Sequence, residues 1–126
     1  MEEALRHALL LSVPELTDRI YPTNAPETAT KPYMVYMRVD TDRVKTLDGY
    51  TDKQAFRYLF NAMAVRYGDM KALCDKTEAF LLSLAGSRIG RDKNIYVEDV
   101  SINNIEEIYE FGLKVNRGII DFTIYF

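Results

Sequence analysis

Residues able to do covalent or acid–base chemistry are sparse in this chain, and their spacing limits what they can do. His7 is the sole histidine and Cys74 the sole cysteine. A hydrolase triad or a histidine metal cluster would therefore have to form around one residue near the N-terminus, where no partner motif stands. Cys74 falls on the apolar side of a helical repeat, a setting in which free cysteine behaves as a small hydrophobe. A lone cysteine also excludes an intrachain disulfide. Asp40, Asp42, Asp48 and Asp52 lie close enough in sequence to suggest a divalent cation for phosphate chemistry. Their run lacks the glycine and terminal glutamate of an EF-hand loop, and a solvated hairpin explains it more simply. Gly86-Ser87-Arg88-Ile89-Gly90-Arg91 has the glycines of a phosphate cradle but follows a helix instead of a strand. Arg57, Tyr58 and Phe60 have the character of a single-stranded RNA platform, against which stands the expectation that these aromatics face a helix. The residues thus predict no catalytic group, no metal and no cofactor.

Bulk properties narrow the classes further. Lys and Arg total 16 against 19 Asp and Glu, a net charge of −3. That balance offers no general attraction for a phosphate backbone, so a small nucleic-acid-binding module is the weaker alternative. A length of 126 residues with 48% apolar composition suits a single domain spanning 1–126 with its own core. The opening MEEALRHALLLSV has acids where a signal peptide needs basic residues, so the protein is expected to stay inside a cell or in particles built there. No apolar run approaches the ~20 residues of a membrane-spanning helix.

The elements that must position these side chains follow from periodicity. Ala4, Leu5, Ala8, Leu9 and Ser12 have helical spacing behind Glu2 and Glu3, and Pro14 ends that helix and opens a short turn carrying Leu16 and Ile20 inward. The stretch from Tyr21 to Pro32 contains three prolines and predicts an extended loop. Tyr33 to Asp40 alternates as a strand, Thr41 to Lys53 is a polar excursion with a turn at Asp48-Gly49, and Ala55 to Ala64 alternates again. A central helix should start at a capping Asp69, bury Met70, Leu73, Cys74, Thr77, Phe80, Leu81 and Leu84, and stop at Gly86. After the basic loop from Ser87 to Asn94 comes a strand through Ile95, Val97, Val100 and Ile102 with a slip near Asp99, and a last strand covers Ile119 to Phe126. This order predicts an α+β two-layer domain, a mostly antiparallel sheet packed against an N-terminal helix and one long central helix.

Several runs recur in an ordered series: Asp18-Arg19-Ile20-Tyr21-Pro22, Ala25-Pro26, Pro32-Tyr33-Met34-Val35-Tyr36 and Thr46-Leu47-Asp48-Gly49. Arg57, Asn61, Tyr67, Lys71-Ala72-Leu73 and Asp75 follow, then Gly112-Leu113, Arg117 and Ile120-Asp121-Phe122. Taken together, the series resembles the phage tail-completion family, once catalogued as a domain of unknown function and found in phage and prophage neck-and-tail gene clusters. Asn61 replaces an acidic residue common there, and Met63 an aromatic. The resemblance implies a non-enzymatic virion protein similar to tail terminators and head-to-tail joining proteins. It would be a homo-oligomeric, hexameric ring at the head-proximal end of the tail, contacting the tail tube protein and the head-tail connector or neck proteins. A neck adaptor or other minor tail protein is the nearest alternative.

A ring needs a heterologous contact whose rotation closes, and so two different, mutually complementary surfaces on each subunit. The expected ones are the charged hairpin, with Asp42, Arg43, Lys45, Asp48 and Tyr50 as contact or lumen residues, and the basic loop with Arg88, Arg91 and Lys93. Simple solvation is the competing reading of each. An acidic lumen would let DNA pass without specific binding, because like charge suppresses backbone contact. The helix register is open to test: Phe80→Ala should cost roughly 3–5 kcal/mol as a core truncation in a denaturant melt, and a surface-sized loss would contradict it.

Overall fold

In a computed structural model the protein is described at residues 2–16, 19–23, 25, 32–46, 49–90, 92–93 and 95–126, with backbone alone at 2, 15, 40–46 and 49–53. Helix α1 (Glu2–Ser12) runs into a 3-10 turn at Pro14–Leu16. Leu5, Leu9, Val13 and Leu16 form its buried line. Ser12, expected inward, is exposed, because a line stepping four residues from Leu9 reaches Val13.

The chain then enters a five-stranded sheet whose spatial order is β1 (Ile20–Pro22), β2 (Tyr33–Thr46), β3 (Gly49–Ala64), β7 (Val115–Tyr125) and β6 (Asp99–Glu110). β1 pairs parallel to β2, with Ile20 opposite Met34. Every other pairing in this sheet is antiparallel. The architecture is α+β, as the periodicity predicts.

Several local expectations need correcting. The proline-rich segment opens with a short edge strand, β1, which pairs parallel to β2 and buries Ile20; Pro22 stands exposed at its end, a place on an edge strand where a missing N–H is tolerated. The polar stretch 41–53 is not an excursion: β2 and β3 run on through it as a ladder ending at Thr46 opposite Gly49, since backbone pairing is indifferent to side-chain polarity. The strand expected through Ile95 to Ile102 is divided. Ile95–Tyr96 (β5) pairs with Arg88–Ile89 (β4) in a separate small sheet, and β6 begins at Asp99. The irregularity lies between Ile102 and Asn104, beyond Asp99. Residues 103–118, where acids obscure the alternation, supply most of β6 and the start of β7.

Helix α2 (Tyr67–Ser83) begins two residues before Asp69, which lies in its first turn, where a carboxylate favours the helix dipole. The extended Arg66 occupies the cap without a side-chain hydrogen bond. Met70, Leu73, Cys74, Thr77, Phe80 and Leu81 are buried, with Leu84 just beyond the helix end, and Gly86 follows at φ +78°. The buried face of the helix meets the sheet's aromatic layer. Tyr58 stacks on Phe122 at 5.7 Å between centroids, and Phe60 meets Phe122 edge-on at 4.8 Å. Ile120, Ile124 and Met34 complete the buried surface.

Gly118 sets how closely α2 approaches β7. A Cβ there would overlap Cys74 Sγ and stand 2.8 Å from Met70 Sδ. Gly118→Ala should therefore cost about 1–3 kcal/mol by overpacking. Adding Cys74→Ala should recover much of that loss in urea melts, and a strictly additive pair would show that the two sites do not touch.

Candidate functional site

The chemistry-bearing side chains are placed where they do structural work. His7 is half-buried on α1. Cys74 is 4% exposed and its thiol is pushed up to about 11, first by burial and then by the charge of Glu107, so it stays protonated near neutrality. Among the described residues, no three His, Cys, Asp or Glu side chains gather in a way that could hold a metal. Asp48 and the side chains of Asp40, Asp42 and Asp52 lie outside the described part of the chain. Tyr58 and Phe60 are sealed between sheet and helices, so no base can stack on them and the RNA-platform reading of these residues falls.

Of the residues expected at contacts, Asp42, Arg43, Lys45 and Tyr50 are described by backbone alone, and Asp48 and Arg91 lie outside the described residues. The register places the first four on a ribbon, with Asp42 opposite Ala55, Arg43 opposite Gln54 and Lys45 opposite Tyr50. β7 accompanies β3 only as far as Ala55, and the backbone of Phe126 bonds to Gln54. β1 leaves β2 after Tyr36. Residues 49–53 of β3 thus pair, among the described residues, with β2 alone. Arg88 and Lys93 belong to the tight β4–β5 hairpin. The Arg88 guanidinium lies over the Tyr96 ring at 5.7 Å, and Lys93 has φ +50° beside Gly90 at φ +99°.

At the other end of β3 lies a surface that neither charge nor motif signals. Val65, Tyr67, Ile108, Tyr109, Phe111 and Leu113 are all exposed, Phe111 at 83% and Leu113 at 62%. Phe111 meets Tyr109 edge-on at 4.9 Å. Asn116 donates to the Val65 carbonyl at 3.0 Å, tying the end of β3 to β7. The available signal was Tyr109, Phe111 and Leu113 at two-residue spacing around Gly112, a strand alternation carried into a turn.

Polar pairs brace this end and the uncovered face of the sheet. Tyr67 Oη donates to Glu107 at 2.5 Å and Lys71 Nζ donates to its other oxygen at 3.1 Å. These two bonds hold the Glu107 carboxyl below its ordinary range. On the uncovered face, Arg57 grips Asp121 with two donors, at 2.9 and 2.5 Å. That contact is the main reason the Asp121 carboxyl is also held low. Arg117 donates to Asn61 Oδ1 at 2.9 Å and to Glu110 at 2.7 Å, beside a hollow of about 220 Å³ whose walls include Tyr33, Met37, Met63 and Leu113. Arg57, Asn61, Tyr67, Lys71, Arg117 and Asp121, scattered in sequence, therefore act as cross-strand and helix-to-strand pins. Their worth should differ with burial. Asn61 is only 2% exposed, so Arg117→Ala should cost about 1–3 kcal/mol in a chemical melt by stranding it, whereas Arg57, half-exposed, should lose under about 1 kcal/mol on the same change. Equal losses would refute that ordering.

No protein-family model matches the sequence, and neither does any curated protein. Among solved structures the chain is similar to one from the virion of a native gene transfer agent particle, with a TM-score of 0.73 and 11% identity. The likeness covers 99% of this chain and 92% of that one. At that identity the two share a fold.

Proposed function

We propose that this chain is a structural subunit of a virion: a tail-completion protein that forms a ring, hexameric in its finished state, capping the tail tube and joining it to the head connector. The observation that carries this reading is the near-complete superposition on a gene transfer agent virion chain. The site geometry agrees with it. Arg57, Lys71, Glu107, Glu110, Arg117 and Asp121 brace the sheet and Cys74 is buried, while exposed apolar side chains lie outside, where another protein can cover them. DNA passes the ring without specific binding, consistent with the net charge of −3.

A chain with this role is dispensable for capsid filling and for tube growth but not for joining. Particles made without it should consist of filled heads and separate tails of abnormal length, viewed by negative-stain electron microscopy. Normal tails joined to heads in its absence would overturn the proposal. Tails of normal length that remain detached would instead favour a neck adaptor.

A further inference from the structure

Val65, Tyr67, Ile108, Tyr109, Phe111 and Leu113 lie exposed at one end of the molecule, where a single exposed hydrophobic would need no explanation but a group of them does. The turn that presents the last two carries Lys114 at φ +54°, left-handed backbone disfavoured for any residue but glycine. The outward arrangement is thus kept despite local strain. Phe111 packs edge-on against Tyr109, and Tyr109 in turn forms a wall of a hollow of about 200 Å³ that Tyr67, Met70 and Ile108 also line. That volume lies below the about 300 Å³ at which small-molecule sites begin, and it suits one inserted side chain. Polar groups in the wall are already engaged: Glu107 accepts from Tyr67 and Lys71, and Asn116 donates to the Val65 carbonyl.

We infer that in the free protein this end pairs with the same end of a second copy about a two-fold axis, Phe111 of each chain entering the hollow of the other beside Tyr67. A protruding ring and an adjoining recess on one surface are what an isologous contact requires, because every contact in it occurs twice with the roles exchanged. Size agrees. The six side chains expose on the order of several hundred Å² per copy, so the two ends together approach the about 1,000 Å² expected of a specific interface. Charge permits the contact as well: Lys71 neutralises Glu107 and Arg117 neutralises Glu110, so neither of these carboxylates is covered unpaired. This pairing belongs to the chain in solution and is independent of the tail-completion role, in which a virion partner can cover the same end.

Sedimentation of the purified full chain across the micromolar range tests the pairing. The parent should show a monomer–dimer equilibrium, and Phe111→Ser should raise its dissociation constant about tenfold or more, with an unchanged melting temperature because the side chain is exposed. Leu11→Ser, which removes another exposed apolar side chain, on α1, should leave the equilibrium where it was. A chain that stays monomeric throughout, a dimer that Phe111→Ser leaves intact, or one that both changes weaken alike would overturn the pairing. The geometry is read by placing the photoreactive residue p-benzoylphenylalanine at position 111 and mapping the covalent dimer by mass spectrometry. Links should fall on residues 67–70 and 107–109 of the second chain, around the hollow. Links to any other surface would overturn the two-fold contact in favour of a heterologous one.

Discussion

Everything in this molecule depends on a sheet that has helices on one side only. The layer of Tyr58, Phe60 and Phe122 is closed by α1 and α2, and the closeness of that packing is set at Gly118, where a single methyl group would collide with Cys74 and Met70. The cooperative apolar burial of the fold is concentrated on that side. The other face must hold its strands by different means, and it does so with fork-like and bridging contacts, Arg57 to Asp121 and Arg117 to Asn61 and Glu110. Charged residues that would suggest a catalytic centre if seen in a cleft are here the fasteners of a half-covered sheet.

One-sided covering also decides where function can reside. Side chains under the helices are inaccessible, and those on the open face are largely occupied with one another. The ends of the strands remain. There β2 and β3 outrun their neighbours on one side, and on the other the β6–β7 turn gathers exposed aromatics beside the start of α2. The fold is shared with a virion component at 11% identity, so the architecture is one that very different sequences can specify.

The parts of this design legible in sequence are those governed by one strong period. The buried line of α2 from Met70 to Leu84 and the alternation of Phe56, Tyr58, Phe60 and Ala62 are local consequences of burial, and they hold residue for residue. The ribbon was obscured because its side chains are polar while its ladder is a backbone property. β6 was obscured because an edge strand half open to water can carry Glu106, Glu107 and Glu110 among its isoleucines, which erases the alternation. The helix start was displaced from Asp69 because tertiary packing, with Tyr67 bonded to Glu107, extends α2 past the strongest local cap signal. The exposed aromatic end is not legible in the sequence for a related reason: exposure is a product of the whole fold, and the spacing of Tyr109, Phe111 and Leu113 does not say which of them is left uncovered.

The central claim is that an inert building block works through surfaces at its ends, at one place in a particle. A cryo-electron microscopy reconstruction of intact particles tests it most directly. The account predicts density for this fold as a closed ring between the tail tube and the head connector, with the end bearing Phe111 covered by a neighbouring protein chain. Finding the fold elsewhere in the particle, or finding that end bare at the junction, would contradict it.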